Sequence, residues 1–230
     1  MTDQQTSRVR SVPPALQQRR SGGRPTREEA ARRDARLLDI ATTLFMERGF
    51  DGTSMDAVAE AAGVSKPTVY NRYQDKRDLF AAVLRSRIKH WLAPLSAAAE
   101  SHVGATGVLS IDETLHLLSR EILTHSITPD TAMLQRVVAA QAVHFPELAK
   151  LAHEEGWLRA VRAVAALLHY FAKKGQINVD NPEVAADLFL NLVLGHSRRL
   201  ALFGITVDPA IEELHRRKAV ELFLNGIRTR

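Results

Sequence analysis

The residues with the most evident chemical potential lie in the segment 53–80, which reads TSMDAVAEAAGVSKPTVYNRYQDKRDLF. We expect Ser65 to cap a short helix in which Pro67 falls in the first turn, where proline is tolerated. Val69 and Tyr73 can face inward, and the outer face carries polar groups: Thr68, Tyr70, Asn71 and Arg72. A short helix of this kind fits the major groove of DNA, so the chemistry it offers is hydrogen bonding to base edges and phosphates.

A preceding helix must hold this short helix in place. Thr53, followed three residues later by Asp56, predicts the start of that helix, and small side chains such as Ala59 and Ala62 give it a narrow inner face. Gly63 provides the positive φ that a tight turn between two helices needs. The pattern predicts a helix-turn-helix, and an ordinary pair of short core helices is the alternative.

A basic arm precedes this segment. Residues 1–27 hold six arginines and a single acidic residue, Asp3, and therefore carry the whole formal charge of +5. Prolines and glycines among polar residues predict that residues 1–25 are disordered. A cationic arm beside a helix-turn-helix favours contact with a polyanion, and the alternative is a solvated tail without a partner.

The rest of the chain predicts helices and no strands. Capping residues, helix-breaking glycines and prolines, and apolar stripes of helical period indicate an all-α fold of nine or ten helices without an internal repeat. Thr26 opens a capping box at the start of the first helix. Pro94 is expected to kink or end the helix that begins near Lys76. The last two helices are predicted near 182–203 and 209–226.

Three pieces in a fixed order, LFMERGF, TSMDAVAEAAGVSKPTVYNRY and QDKRDLF, resemble the DNA-binding domain of TetR-family regulators. Two later segments, MLQRVVAAQAVHFPELAKLAHEEG and NPEVAADLFLNLVLGHSRRLALFG, resemble the C-terminal domain of AefR- and AcrR-like members. After the arm that composition predicts to be disordered (1–25), the resemblance implies a DNA-binding domain (26–84, with its motif at 54–73) and a ligand-binding and dimerisation domain (85–230). It also implies a transcriptional regulator, most often a repressor, that binds a palindromic operator as a homodimer. A small, mainly apolar ligand would release it.

The resemblance assigns roles to residues of the helix-turn-helix. The positions that reach bases or flanking phosphates are matched by Lys66, Pro67, Thr68, Tyr70 and Asn71. Tyr73 and Lys76 match positions that contact phosphates. The arm, through Arg24 and Arg27, would add contacts in an adjacent minor groove. The implied DNA-binding residues are Arg24, Arg27, Thr53, Ser54, Ser65, Lys66, Pro67, Thr68, Tyr70, Asn71, Arg72, Tyr73 and Lys76.

Residues 184–195 are apolar apart from Asp187 and Asn191. A helix that is apolar all round is buried on more than one side, so one side can pack on its own subunit and the other on a partner. The alternative is a central core helix of a monomer. The predicted dimer interface consists of Leu188, Leu192, Gly195, Arg199, Ile211, Leu214, Val220, Phe223 and Leu224.

Between residues 110 and 180, apolar helix faces carry scattered polar groups. A binding cavity is usually apolar with a few placed polar groups, so we expect a pocket for an apolar ligand there, and a filled core is the alternative. The helix that begins at Lys76 is the expected mechanical link to the DNA-binding domain. The predicted lining residues are Ile122, His125, Met133, Arg136, Val137, Gln141, Trp157, Val161, Leu168 and Asn191.

Several other classes of protein are disfavoured. The chain has no cysteine, and none of its nine histidines lies within five residues of another, so we expect no metal and no other cofactor. Without a nucleophile elbow, P-loop or dinucleotide fingerprint, an enzyme with an appended helix-turn-helix is disfavoured. No apolar run predicts a membrane helix or a secretory signal, so we expect a cytoplasmic protein without a membrane partner. The main alternative is a DNA-bridging protein that has no ligand.

Overall fold

The computed structural model describes residues 26–104 and 109–228, of which 94 and 96–104 by their backbone alone. The predicted basic arm, with Arg24, lies outside the described residues. Within them the regular elements are ten α-helices and one π-helical turn, which confirms the all-helical prediction. In chain order they are α1 (Arg27–Arg48), α2 (Met55–Ala62), α3 (Lys66–Tyr70), α4 (Lys76–Gly104), α5 (Ile111–Ser126), α6 (Pro129–Gln141), α7 (Pro146–Leu151), the π-turn (Ala152–Trp157), α8 (Leu158–Lys173), α9 (Pro182–Leu202) and α10 (Pro209–Ile227).

The head, which we define as residues 26–84, consists of α1, α2, α3 and the first turns of α4. Thr26 and Glu29 form the predicted capping box at the start of α1. The rings of Phe45, Phe50 and Phe80 meet at the centre of the head, with the centroids of Phe45 and Phe80 4.8 Å apart. Aromatic side chains bury a large apolar area, so this cluster fixes how α1 and α4 pack together.

The connection between α2 and α3 has the predicted helix-turn-helix geometry. Gly63 adopts the left-handed conformation, with φ +65° and ψ +33°, and Ser65 caps α3. The start of α2 differs from the prediction by one residue. Ser54 is its N-cap and accepts the N–H of Ala57 at 3.1 Å, whereas the hydroxyl of Thr53 points back into the head.

The long helix α4 connects the head to the body, which we define as residues 85–104 and 109–228. It buries Phe80 in the core of the head and Leu92 and Leu95 in the core of the body. Pro94 was expected to kink or end this helix; the second expectation is wrong, because α4 continues to Gly104, and the kink stays a prediction. A proline inside a helix costs about one hydrogen bond and a local clash, and packing of the helix on two cores offsets that cost.

A second connection between head and body runs through α6 and α7. Leu134 and Val137 of α6 and Leu148 of α7 are buried in the same apolar cluster as the core of the head. Nε2 of Gln141 also donates to Oδ2 of Asp51 at 3.4 Å. The body therefore contacts the head through two helical paths instead of the single one that we expected.

The body packs α5, α8, α9 and α10 around a core that includes Leu168, Phe171 and Phe189. The last two helices begin at Pro182 and Pro209, as predicted. The π-turn before α8 was not predicted. A π-turn holds one residue more than an α-helical turn, and an apolar period of 3.6 residues does not reveal it.

Candidate DNA-binding surface and internal cavity

Helix α3 carries its polar side chains on the outer surface of the head. Val69 is fully buried and anchors this five-residue helix on the core. The residues that flank Val69 in sequence face solvent. The predicted DNA-binding residues that are exposed are Arg27, Ser54, Ser65, Lys66, Pro67, Thr68, Tyr70, Asn71 and Arg72. Most of them belong to α3 and its flanks, so hydroxyl, ammonium, amide and guanidinium groups are grouped there.

Asp56 of α2 holds two of these side chains in the free head. Its Oδ2 accepts from Nζ of Lys66 at 2.5 Å, and its Oδ1 accepts from the hydroxyl of Tyr70 at 3.4 Å. The hydrogen bond to this carboxylate raises the pKa of Lys66 above its ordinary value of 10.5, so the ammonium is charged at neutral pH. Because both side chains are exposed, each can exchange Asp56 for a phosphate oxygen.

Asp34 of α1 makes comparable contacts at the other end of α3. The hydroxyl of Tyr73 donates to its Oδ1 at 2.9 Å, and the guanidinium of Arg72 lies 2.6 Å from its Oδ2. Burial, and then the hydrogen bond to Asp34, raises the pKa of Tyr73 to about 12. The expected phosphate contact of Tyr73 needs correction, because this buried hydroxyl is used to fix the end of α3 on α1.

Thr53 is buried as well, and its hydroxyl lies 3.0 Å from the carbonyl oxygen of Leu44 and 2.8 Å from that of Gly49. It therefore closes the α1–α2 connection and does not face outward, as the expected DNA contact requires. Lys76 lies at the start of α4, half-buried, and its Nζ donates to the carbonyl oxygen of Asp51 at 3.4 Å. Its ammonium is thus partly available to a phosphate.

A cavity of about 610 Å³ lies in the body, directly beside the head. Helices α4, α6, α7 and α9 and the π-turn surround it, and its size is typical of small-molecule sites, which span roughly 300–1,000 Å³. Its larger apolar side chains are Leu84, Ile88, Trp91, Leu134, Val138 and Leu202. Its polar lining comprises Arg87, Thr131, Gln135, His153, Asp187, Asn191 and Arg198, together with the indole of Trp157.

Two of the ten predicted pocket residues, Trp157 and Asn191, line this cavity. The other eight do not line it: Ile122, His125, Met133, Arg136, Val137, Gln141, Val161 and Leu168. Ile122 and Leu168 fill the core of the body, and Val137 faces the head. An apolar stripe shows which face of a helix is buried, but not whether that face meets a packed core or a cavity.

Trp157 contacts two charged side chains of α9 in the cavity wall. Its Nε1–H donates to Oδ1 of Asp187 at 2.6 Å, and the guanidinium of Arg198 lies 5.5 Å from its ring centroid. Nδ2 of Asn191 donates to the same carboxylate at 3.2 Å. Nε of Arg198 donates to Oε1 of Gln135 at 3.1 Å. Burial lowers the pKa of Arg198 from its ordinary 12.5, although a guanidinium keeps its charge in proteins.

The outer faces of α9 and α10 leave a row of apolar side chains exposed. Leu188 is 56% and Leu192 41% exposed, and Ile211 and Leu214 are exposed to a similar degree. Gly195 and Arg199 lie exposed on the same helix α9, so six of the nine predicted interface residues are accessible to a partner.

The other three predicted interface residues need correction. Val220, Phe223 and Leu224 are buried in the core of their own protomer. Leu222, which the prediction omitted, is 64% exposed. Since successive helical residues lie about 100° apart, the apolar residues of α10 serve two faces, and the sequence pattern does not separate them.

Sequence reasoning also missed Asp34, Asp56, Asp187 and Arg198. Asp56 was interpreted only as a helix-start residue, although it can also reach the side chains of the following helix. A signal was available for α9: Asp187, Asn191 and Arg198 recur at intervals of four and seven residues, which places them on one helix face. Polar residues in such a row on an otherwise apolar helix indicate a face that lines a cavity.

Two features are absent from the described part of the chain. None of its helices combines the length and the apolar character that crossing a membrane requires. Nor do residues 26–104 and 109–228 contain a group of three or more histidine or acidic side chains arranged to hold a metal ion.

Comparison with known proteins connects both parts of the molecule to one family. Residues 37–83 match the bacterial regulatory proteins of the tetR family. Residues 113–226 match the AefR-like transcriptional repressor, C-terminal domain. The first match covers the helix-turn-helix, and the second covers most of α5 to α10.

Among curated relatives, the transcriptional regulator RutR of Escherichia coli K12 is 40% identical over 78 residues, which make up 34% of this chain and 36% of RutR. The match thus spans about a third of that relative. The E. coli regulator UidR is 24% identical over 201 residues, covering 87% of this chain and 91% of UidR.

Solved structures match over almost the whole chain. A TetR-family regulator from Mesorhizobium loti is 28% identical, with a TM-score of 0.81, over 89% of this chain and 100% of its own. The flavonoid-responsive regulator FrrA is 29% identical, with a TM-score of 0.70, over 87% of this chain and 99% of its own. With a helix-turn-helix head, a matching C-terminal domain and the same fold, this chain belongs to the TetR family of DNA-binding transcriptional regulators.

Proposed function

We propose that this chain is a homodimeric repressor that binds a palindromic operator through α3 of each protomer and leaves it when a small, mainly apolar ligand enters the cavity. The observation that supports the proposal is that the cavity and the core of the head have two side chains in common. Leu84 and Leu134 line the cavity and are also buried in the core of the head. A ligand that displaces either side chain must move the head, because close-packed cores rearrange and do not deform freely.

Release requires that the ligand prefer the conformation in which the two α3 helices are wrongly spaced for the operator. A hundredfold loss of operator affinity needs about 2.7 kcal/mol of coupling. The two paths from body to head, α4 and α6–α7, both border the cavity. Ligand binding can therefore shift the positions of both helical paths at once.

The proposed dimer holds two heads in a fixed relation, as half-sites separated by about 34–36 Å require. The exposed apolar row on α9 and α10 supports a second copy of the chain as its occupant, because a two-fold axis brings the same surface of each protomer together. We further propose that residues 26–84 form the DNA-binding domain and residues 85–230 the ligand and dimer domain. Contact of the arm with DNA stays a prediction.

Two observations favour the ligand-responsive regulator over a DNA-bridging protein. The cavity has the volume and mixed lining of a small-molecule site, for which a purely assembling domain has no need. The likeness to FrrA, a regulator described as flavonoid-responsive, supports a small organic effector for this chain as well.

The proposal is tested by sequencing the DNA fragments that the purified protein retains from its own genome. We expect fragments that share a palindrome, and the protein should bind this palindrome far better than a shuffled sequence of equal length. Apolar metabolites and drugs are then screened for thermal stabilisation of the protein, and the hits are tested for operator release. Retained fragments without a shared motif, or ligands that bind the cavity and leave operator affinity unchanged, would favour the bridging protein.

A further inference from the structure

The cavity contains a guanidinium that no described carboxylate neutralises. We propose that the effector of this regulator is an apolar organic monoanion whose acid group pairs with Arg198. The inference rests on the proposed function in one respect, since it takes the cavity to be the effector site.

The hydrogen bonds of Arg198 leave most of its donors available. Among the described residues, its guanidinium meets one hydrogen-bond acceptor, Oε1 of Gln135, which bonds to Nε. No carboxylate oxygen of the described residues lies within 4.0 Å of it. The two terminal nitrogens therefore offer the parallel N–H pair that binds a carboxylate or sulfonate with two hydrogen bonds.

Arg87, the other arginine of the cavity wall, is a useful contrast. Its guanidinium lies 3.7 Å from Oδ1 of Asp39, a carboxylate that does not line the cavity. The charge of Arg87 is thus partly offset by the protein itself, whereas that of Arg198 is not. Of the two arginines, Arg198 is consequently the one that can pair with an acid group of the ligand without first losing a protein carboxylate.

The surroundings of Arg198 strengthen an ion pair between its guanidinium and an acid group of the ligand. The guanidinium lies over the face of Trp157 and is half-buried beside apolar side chains. A charge withdrawn from water is costly unless it is paired, and a hydrogen-bonded anion offsets that cost more effectively here than at an open surface. An apolar body attached to the acid would fill the remainder of the cavity.

The indole N–H edge of Trp157 limits the ligand to one negative charge. Its indole N–H binds Asp187, whose carboxylate also lines the cavity. A second anionic group near Asp187 would be repelled, whereas a hydroxyl or amine there would find an acceptor. The favoured effector is therefore an apolar acid, with a hydrogen-bond donor as the tolerated second polar group.

The test uses two fluorescent probes with the same rings: anilinonaphthalene sulfonate, which is an anion, and phenyl naphthylamine, which lacks the sulfonate. The chain has two tryptophans, Trp91 and Trp157, and both line the cavity. Energy transfer from tryptophan reports that a probe is bound to the protein, and substitutions in the cavity wall place that binding in the cavity. We expect the anion to bind at least about tenfold more tightly than the neutral probe, as a hydrogen-bonded charge pair predicts.

Three variants locate the effect. Arg198→Gln should abolish the preference for the anion, Arg198→Lys should keep part of it, and the control Arg87→Gln should keep most of it. Circular dichroism and thermal unfolding verify that each variant is folded. Equal binding of both probes to the wild type, or a preference for the anion that survives in Arg198→Gln, would overturn the assignment to Arg198.

Operator binding by the same proteins separates this inference from the proposed function. If the anion binds through Arg198 and does not release the operator, the acid site stands and the release mechanism falls. If the neutral probe releases the operator as well as the anion does, release stands and the acid site is overturned. Absence of energy transfer to either probe would overturn the acid site, because an apolar monoanion of this size would then not enter the cavity, and the proposed function would still depend on its own test.

Discussion

The indole N–H of Trp157 donates a 2.6 Å hydrogen bond to Oδ1 of Asp187 and so ties the π-turn to α9 across the cavity wall. Trp91 of α4 makes a bond of the same length to the hydroxyl oxygen of Ser126. Hydrogen bonds to an ionised group are about twice as strong as those between neutral groups. The two tryptophans therefore form a matched pair in which the acceptor is the main chemical difference.

Trp157→Phe is expected to lower the free energy of unfolding by about 1.5–3 kcal/mol, and Trp91→Phe by about 0.5–1.5 kcal/mol. Both changes remove an indole N–H and keep an aromatic ring. Urea denaturation monitored by circular dichroism measures the two losses. Equal losses would show that the charge on Asp187 adds nothing to the bond.

Two tyrosines of the head should respond differently to the same substitution. Tyr70→Phe removes an exposed hydroxyl and should weaken operator binding by about 1–2 kcal/mol without loss of stability, if the hydroxyl meets a base or phosphate. Tyr73→Phe removes the buried hydroxyl bonded to Asp34 and should lower stability by about 1–2 kcal/mol, with operator affinity nearly unchanged. Fluorescence anisotropy and thermal unfolding give the two readouts, and a reversed pattern would contradict the roles we assign.

Asp56→Asn should increase affinity for DNA of any sequence several-fold. The carboxylate of Asp56 competes with phosphates for Lys66 and carries a charge that repels the DNA backbone. Binding to an unrelated duplex at several salt concentrations measures the change. Glu47→Gln, which removes an exposed charge from α1 outside the helix-turn-helix, is the control and should have a smaller effect. Equal gains in DNA affinity in both variants would indicate that the change in net charge alone causes the gain.

Leu188→Glu and Leu192→Glu should convert the proposed dimer to monomers that bind the operator weakly. Each places a charge on the exposed apolar row of α9, where a partner would bury it. Leu117→Glu alters a leucine of similar exposure on α5 and should leave the dimer intact. Sedimentation at micromolar concentration distinguishes the states, and a wild-type monomer would remove the basis of this prediction.

Acid should weaken the contact between α10 and α5. Arg216 is almost fully buried, with its guanidinium bonded to Glu213, to the hydroxyl of Ser119 and to a carbonyl of α5. The hydrogen bond from Arg216 lowers the pKa of Glu213 from 4.5 to about 2. A depressed carboxyl pKa stabilises the folded state fully above the ordinary value of 4.5, and this contribution is lost as the pH falls through about 2.

The difference in melting temperature between the wild type and Glu213→Gln should therefore be largest near neutral pH and shrink as the pH falls from 4.5 to about 2. Thermal unfolding across this range measures it. Glu212→Gln, at the preceding position, is the control and should follow the wild-type profile. Because Glu213 is partly exposed, solvent screening makes the effect smaller than that of a buried pair.

Local signals in the sequence predict the helices and the helix-turn-helix, because caps and turns depend on neighbouring residues. Gly63 adopts its left-handed turn since few other residues adopt it readily, and Ser65 caps α3 for an equally local reason. The cavity depends on how distant helices meet. Nothing near Val137 in the sequence reveals that it faces the head, and nothing near Phe223 separates it from the exposed Leu222.

The π-turn at Ala152–Trp157 also bears on how a site of this kind can diverge. Such a turn contains one residue more than the α-helical turn it replaces. Deleting one residue there would restore an ordinary helix and change the directions of the side chains within the turn, while the flanking helices would stay nearly in phase because the wide turn absorbs its extra residue. The side chains that this stretch presents to the cavity would change while every remaining amino acid stayed the same. A change of chain length at this turn can thus alter ligand preference. A comparison of residue types at aligned positions would not detect such a change.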